Sequence, residues 1–143
     1  MSELKLQPHA ASALERWHAM VARKDLEGLP ELLHPDVVFR SPMAHSPYPS
    51  APVVATILNT VLEIFEGFTY HRQLASADGL SVVLEFSARV GNRELKGIDL
   101  IRFDEQGKIV DFEVMIRPLS GLQALGEQMA QRLASYLAAH KGR

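Results

Sequence analysis

A series of three turn motifs constrains the fold most, because they divide residues 68–117 into four short apolar segments. The motifs are "DG" at 78–79, "GN" at 91–92 and "DEQG" at 104–107. Gly beside Asp or Asn favours the tight turns that join antiparallel strands. The segments at 68–77, 80–90, 95–103 and 109–117 are rich in β-branched and aromatic residues, as strands are. The pattern predicts a four-stranded antiparallel meander.

Segments with helical periodicity lie on both sides of this sheet. Apolar residues recur at helical spacing over 10–23, 50–65 and 122–137, and a shorter helix is predicted over 25–33. The segment "VVFRS" at 37–41 is strand-like, whereas three prolines make 42–50 a loop. This order predicts a single α+β domain over residues 1–143, with a curved antiparallel sheet wrapped around N-terminal helices and an additional C-terminal helix.

Composition excludes several classes of function. The chain has 15 basic and 17 acidic residues and no basic cluster, which argues against a nucleic acid or an anionic membrane as partner. It lacks a run of about 20 apolar residues, and "MSELKLQPHA" is too polar for a signal peptide, so we expect a cytoplasmic protein. It has no cysteine, no histidine pair at metal-ligand spacing and no phosphate-binding loop, so neither a metal nor a cofactor is predicted.

Asp99 is the main candidate for a catalytic residue, because strand parity places it on the apolar face of the meander. A two-residue turn at 91–92 puts Asp99 opposite Leu84, and a four-residue loop at 104–107 puts it opposite Phe112. The same face carries Ile101 and Val114. Burial there would raise the pKa of the carboxyl, and its protonated form could donate a hydrogen bond to a ligand carbonyl.

A structural role for Asp99 is the alternative. The carboxyl could instead be a buried acid held by the Trp17 N–H, by a hydroxyl or by a backbone amide. On the strand at 68–77, Tyr70 and His71 are adjacent, so only one of them can face the interior.

Two segments carry a resemblance to a known family: "RWHAMVARKDLEGLPELLHPDVVFRSP" at 16–42 and "GIDLIRFDEQGKIVDFEV" at 97–114. In this order and spacing they resemble the nuclear-transport-factor-2-like superfamily, the cone-shaped α+β fold of ketosteroid isomerase and SnoaL-like polyketide cyclases. The resemblance covers nearly the whole chain and implies an apolar pocket inside the cone. The fold hosts isomerases, cyclases, dehydratases, hydrolases and non-catalytic binding modules, so it does not specify one activity.

The resemblance also implies roles for single residues. Asp99 matches the aspartic acid that ketosteroid isomerase keeps protonated in its oxyanion hole, and Trp17 falls where that enzyme has a tyrosine. Ser41 falls where it has the proton-abstracting aspartate, and serine is no base at neutral pH, which argues against steroid isomerase activity. His45 in the following loop is a candidate general base or a solvated loop residue, and Tyr48 could close the mouth of the cone.

The predicted function is binding of a small, mostly apolar carbonyl compound, with isomerase, cyclase or hydrolase activity by general acid–base chemistry. A non-catalytic ligand-binding or partner-binding module is the alternative. The resemblance further implies a homodimer formed through the outer face of the sheet. Asp99 and His45 are the predicted catalytic residues, and the predicted ligand-binding residues are Trp17, Phe39, Ser41, Tyr48, Phe65, Leu84, Ile101, Phe112 and Val114.

Overall fold

The predicted α+β class is confirmed by the structure, a computed structural model that describes residues 4–141, with side chains as far as residue 134. Helices and sheet are interleaved as the sequence indicated. The described elements are α1 (Pro8–Ala22), α2 (Leu29–Leu32), β1 (Leu33–Arg40), β2 (Tyr48–Pro49), α3 (Ala51–Ile64), β3 (Glu66–Ala75), β4 (Ser81–Val90), β5 (Arg93–Phe103), β6 (Ile109–Arg117) and α4 (Leu119–Lys141).

The strands form one open sheet in the order β2-β1-β6-β5-β4-β3. Strands β3 to β6 are the antiparallel meander that the turn motifs predict. Strand β1 extends this meander by pairing parallel to β6, with Phe39 opposite Phe112, and β2 pairs antiparallel to β1. Register shifts interrupt the β3–β4, β5–β6 and β1–β6 pairings, and such bulges bend a sheet around its contents.

The short second helix is smaller than the sequence predicts. Asp25 Oδ1 accepts a hydrogen bond from the backbone N–H of Glu27 at 2.9 Å, which closes a local turn where the prediction starts a helix. The helix begins only at Leu29 with Pro30 in its first turn, and it lasts four residues. Strand β1 therefore begins at Leu33 instead of residue 37.

Helix α1 supplies one wall of the interior. The Trp17 ring packs edge-on against Phe112 of β6, with ring centroids 5.3 Å apart. Fully burying a side chain of this size stabilises the fold by about 2–3 kcal/mol. The buried residues of α1 are Ala10, Ala13, Leu14, Trp17 and Met20.

Helix α4 closes another side of the interior. A Cβ atom at Gly121 would lie 2.7 Å from Leu95 Cβ, so the absence of a side chain lets the helix approach β5. Leu125 is buried, and Met129 packs against the core. The predicted C-terminal helix is thus confirmed, although the side chain of Leu137 lies outside the described residues. Among the described helices, none combines the length and apolarity needed to cross a membrane.

Gly97 on β5 creates the space that the interior aromatic side chains occupy. It lies opposite Phe86 on β4 and Ile116 on β6. A Cβ atom built there would lie 2.8 Å from Phe86 Cζ and would also overlap the carbonyl oxygen of Met115. A backbone oxygen in mid-sheet has no room to retreat, so a side chain at this position is not accommodated without a shift of the strands.

Gly97→Ala is therefore expected to lower the free energy of unfolding by about 2–3 kcal/mol, the upper range for overpacking. Urea denaturation measures the change. The control is Gly28→Ala, where a Cβ atom would meet only Met20 Sδ at 3.7 Å and Arg16 Nη2 at 4.0 Å. The free energy of unfolding of this control should stay within about 0.5 kcal/mol of that of the unmodified protein. Equal effects of the two substitutions would contradict this account of Gly97.

Candidate functional site

The interior contains a cavity of about 400 Å³ between the sheet, α1, α3 and α4. Cavities of this size hold small organic ligands, and most are lined by apolar side chains with a few polar groups. This cavity follows that pattern, since aliphatic and aromatic residues line nearly all of it. They include Val21, Leu26, Ile57, Leu58, Val61, Leu62, Phe68, Ile116, Leu125 and Met129.

Three polar side chains on the cavity wall form a hydrogen-bonded chain. The Trp17 Nε1–H donates to Tyr70 Oη at 3.0 Å, and the Tyr70 O–H donates to Asp99 Oδ2 at 2.6 Å. The other carboxyl oxygen, Oδ1, has no hydrogen-bond partner within the part of the chain that the structure describes. Asp99 lines the cavity and is only 6% exposed. The carboxyl is therefore held by one oxygen while the other is available to a ligand.

Burial raises the pKa of Asp99 to about 7, because the ionised carboxylate loses its hydration in this apolar interior. The hydrogen bond from Tyr70 opposes the rise, since it stabilises the charged form. The pKa of Tyr70 lies well above its usual value, first because of its own burial and then because of the nearby Asp99. At neutral pH, Tyr70 therefore stays protonated as a donor while Asp99 is present in both protonation states.

Strand pairing explains how Asp99 reaches the interior. It lies opposite Leu84 on β4, as predicted, but opposite Val114 on β6 rather than Phe112. The predicted partner is wrong because the β5–β6 register shifts between Arg102 and Phe103. Phe103 also pairs with Ile109 instead of Lys108, so the loop and the bulge each move the pairing by one residue. The two changes together preserve the face, and the parity argument still places Asp99 inside.

A bulge in β3 determines which of two adjacent residues joins the site. The register of the β3–β4 pairing shifts between Tyr70 and Gln73, and Tyr70 then lies opposite the buried Phe86. His71 faces outward, with Nε2 2.8 Å from Ser87 Oγ. The bulge thus directs the Tyr70 hydroxyl inward, toward Asp99.

Most of the predicted ligand-binding residues lie around the cavity, whereas three predicted residues do not. Leu84 and Ile101 share the interior face but are fully buried and do not line it. His45 is exposed on the loop between β1 and β2 and is also absent from the lining. The predicted residues that line the cavity are Asp99, Trp17, Phe39, Ser41, Tyr48, Phe65, Phe112 and Val114. Their roles in binding or catalysis stay predictions.

The predicted site included neither Tyr70 nor Phe68, and the sequence left open which of Tyr70 and His71 faces inward and where α4 packs. The alternation of Phe68 with Tyr70 along β3 is visible in the sequence, but their face depends on the bulge. Residues Gly126 and Met129 of α4 line the cavity, and a Cβ atom at Gly126 would meet the Met43 side chain 2.6 Å away. Among the described residues, no three His, Asp or Glu side chains come together in a group that could hold a metal ion.

A bent sheet wrapped around helices, with a buried acid in an apolar cavity, defines the class of cone-shaped α+β domains. The SnoaL-like domain family matches residues 14–112. The chain therefore belongs to the SnoaL-like domain family, and the resemblance to the nuclear-transport-factor-2-like superfamily is confirmed.

Solved structures agree with this assignment. A crystal structure described as a steroid delta-isomerase from Pseudomonas aeruginosa is 74% identical, covers 95% of this chain and 99% of its own, and superposes with a TM-score of 0.92. An uncharacterised protein with a cystatin-like fold from Silicibacter pomeroyi is 30% identical, covers 96% of this chain and 95% of its own, and has a TM-score of 0.83. An NTF2-like protein from Mesorhizobium loti shares the fold with a TM-score of 0.68. It is 14% identical and covers 78% of this chain and 93% of its own. No curated protein matches the chain.

Proposed function

We propose that this chain binds a small, mostly apolar carbonyl compound in its cavity and isomerises it by proton transfer, with Asp99 as the group that takes and returns the proton. The observation that carries the proposal is the hydrogen-bonded Trp17–Tyr70–Asp99 chain in an otherwise apolar cavity. A carboxyl with a pKa of about 7 is suited to give and accept protons at neutral pH.

The reaction conserves atoms and electrons without a cofactor. Ionised Asp99 removes a proton from the carbon between the carbonyl and a carbon–carbon double bond, and the electron pair of that C–H bond moves toward the carbonyl oxygen. Neutral Asp99 then returns the proton to the far end of the conjugated enolate. The double bond moves by one position into conjugation with the carbonyl. Tyr70 and Trp17 act as positioning residues that hold the carboxyl throughout.

Two considerations favour an isomerase among the activities hosted by this fold. The 74% identical structure from Pseudomonas aeruginosa is described as a steroid delta-isomerase. Proton transfer between two carbons also needs only one group that both accepts and donates, and Asp99 meets that requirement. The predicted base His45 is exposed outside the cavity lining, so the proposal does not depend on it.

A non-catalytic ligand-binding module is the second candidate. It is favoured by Ser41, because the resemblance to ketosteroid isomerase implies that the proton-abstracting aspartate would stand at this position. In that case Asp99 would only orient a ligand.

The test uses purified protein and two β,γ-unsaturated ketones, a Δ5-3-ketosteroid and a cyclohexenone. Formation of the conjugated enone is followed by ultraviolet absorbance, and binding is followed by the fluorescence of Trp17, the only tryptophan in the chain. Turnover of either ketone supports the isomerase. Saturable binding without turnover supports the binding module, and no binding of either ketone would rule out both.

Tyr70→Phe is expected to raise the pKa of Asp99, because it removes the hydrogen bond that stabilises the carboxylate. A hydrogen bond to a charged group contributes about 1.5–3 kcal/mol, so the midpoint of the kcat/KM profile should move by about one pH unit or more toward alkaline pH. Tyr48→Phe is the control, since that hydroxyl makes no hydrogen bond to Asp99 in the structure. An unchanged midpoint in Tyr70→Phe would show that the hydroxyl does not tune the acid.

We also propose that the chain forms a homodimer through the outer face of the sheet. Met115 on this face is 47% exposed at the centre of the sheet and lies opposite Ile98. On the same face, Glu85 Oε2 forms salt bridges with Arg72 Nη2 at 2.9 Å and with Lys96 Nζ at 3.3 Å. Light scattering should give twice the mass of the chain, and Met115→Asp should give the monomer mass. A monomer before substitution would refute the dimer.

A further inference from the structure

The proposed reaction leaves one requirement unassigned, because charge develops on the carbonyl oxygen when the proton leaves carbon. Reactions of this kind depend on a hydrogen-bond donor placed at that oxygen. The N–H of Trp17 and the O–H of Tyr70 are both directed along the chain to Asp99, so neither donor is free for a ligand. Another cavity residue must supply the donor.

Ser41 has a hydroxyl that meets this requirement. The residue is half-buried and lines the cavity. Its Oγ accepts a hydrogen bond from the backbone N–H of Met43 at 3.0 Å, which fixes the side chain. The hydroxyl proton has no acceptor among the described residues, so it is available to a ligand. Of the two other hydroxyls on the lining, that of Tyr70 donates to Asp99, and Tyr48 is 41% exposed, so its donor is open to solvent.

The strand register places Ser41 two strands away from Asp99 on the interior face of the sheet. Arg40 lies opposite Glu113 in the parallel β1–β6 pairing. Strand β1 ends at Arg40, and continuing its register by one residue brings Ser41 to the level of Val114, which lies opposite Asp99 on β5. The two polar residues therefore belong to one row on the interior face, separated by strand β6. Strand spacing sets their Cα atoms about 10 Å apart.

A carbonyl group and its neighbouring carbon fit this gap. A hydrogen bond of about 2.8 Å to the oxygen, about 2.4 Å from that oxygen to the carbon, and about 3.3 Å from the carbon to the base span at most about 8.5 Å. Because the sheet bends around the interior, side chains on its inner face converge, which brings the two groups closer than the roughly 10 Å between their backbones. A carbonyl compound can thus touch both groups at once.

We infer that Ser41 donates a hydrogen bond to the carbonyl oxygen of the substrate and stabilises its enolate, opposite Asp99, which removes the proton. This inference rests on the proposed isomerase. It assigns the substrate to the enolisable ketones, whose acidic C–H bond lies directly beside the carbonyl. It also gives a role to the serine that stands in place of the aspartate of ketosteroid isomerase, with the donor and the base on exchanged sides of the cavity.

The test compares two probes of similar size, acetonaphthone, which has a ketone, and ethylnaphthalene, which has none. Binding is measured by quenching of Trp17 at about pH 8.5, where Asp99 is ionised and can only accept hydrogen bonds. A preference for the ketone at this pH must therefore come from another donor. The expected preference is about tenfold, the worth of one hydrogen bond.

Ser41→Ala should abolish this preference, whereas Ser41→Thr, which keeps a hydroxyl, should retain it. The control for an unrelated hydroxyl is Ser87→Ala on the outer face, which should also retain the preference. If the β,γ-unsaturated ketones are turned over, Ser41→Ala should lower kcat by about 10²-fold. Thermal unfolding confirms that each variant is folded.

The outcomes separate this inference from the proposed function. If the unmodified protein binds both probes equally, or if Ser41→Ala keeps the preference, the role of Ser41 is wrong. The isomerase then stands as long as Asp99→Asn still abolishes turnover. If neither probe binds and neither ketone is converted, both proposals are wrong.

Discussion

Asp99→Asn is expected to lower kcat for the β,γ-unsaturated ketones by about 10³-fold or more, within the range for loss of a general acid–base group. Asparagine keeps the shape of the side chain and can still accept the hydrogen bond from Tyr70, but it cannot take up a proton at neutral pH. The binding of ligand should change much less than kcat, because the apolar cavity is intact. Initial rates and Trp17 quenching, measured on the same preparation, separate these two effects.

The control for charge removal is Glu113→Gln, on the opposite face of the sheet, which should leave kcat within twofold, or about 0.4 kcal/mol. A decrease of kcat in Asp99→Asn no larger than in the control would remove Asp99 from the reaction. In that case the binding-module alternative would be favoured.

Asp99→Asn is also expected to stabilise the protein at alkaline pH. The pKa of Asp99 is about 7 in the fold, against about 3.9 in an unfolded chain. Between these two values the unfolded chain has released its proton while the folded protein keeps it, so stability falls as pH rises. The stability that the protonated carboxyl of Asp99 contributes is fully present below about pH 4 and is lost as pH rises through about 7. The full loss is about 4 kcal/mol.

Asparagine does not titrate, so the difference in unfolding free energy between Asp99→Asn and the unmodified protein should grow in favour of the variant by up to about 4 kcal/mol from about pH 4 to about pH 8. Urea denaturation across this range, followed by Trp17 fluorescence, measures the difference. A constant difference would mean that the folding reaction does not perturb the carboxyl. An increase in favour of the unmodified protein would give the opposite sign and would show a depressed pKa.

The inward position of Asp99 was predictable because it depends on local turns. The turn at 91–92 fixes the β4–β5 register, and the structure pairs Leu84 with Asp99 as expected. The second hairpin differs from the prediction in two ways that the sequence does not reveal, a loop longer by one residue and a one-residue bulge. Together they shift the register by two residues and leave the face unchanged.

The position of Tyr70 was not predictable for a related reason. An uninterrupted ladder from the Leu74–Val83 pair would place His71 opposite Phe86, with Tyr70 outside. The bulge shifts the register by one residue and exchanges the two side chains, so that Tyr70 reaches Asp99. A one-residue bulge costs little and leaves no distinct pattern in the sequence, and the central hydrogen bond of the site depends on it.

Contacts between distant parts of the chain account for the remaining differences. The parallel pairing of β1 with β6 joins residues more than 70 positions apart, and no turn motif specifies it. It nevertheless brings Phe39 and Ser41 to the cavity. The apolar periodicity of α4 predicts a helix but not its location, which depends on the close approach at Gly121 and Gly126.

The most direct test of the account is a carbon-13 NMR titration of the Asp99 carboxyl, assigned by the signal that is missing in Asp99→Asn. A carboxyl buried in an apolar cavity should titrate with a midpoint near 7. A midpoint near 4, the value of a hydrated aspartate, would mean that water reaches the group freely, and the proposed proton transfer would lose its physical basis.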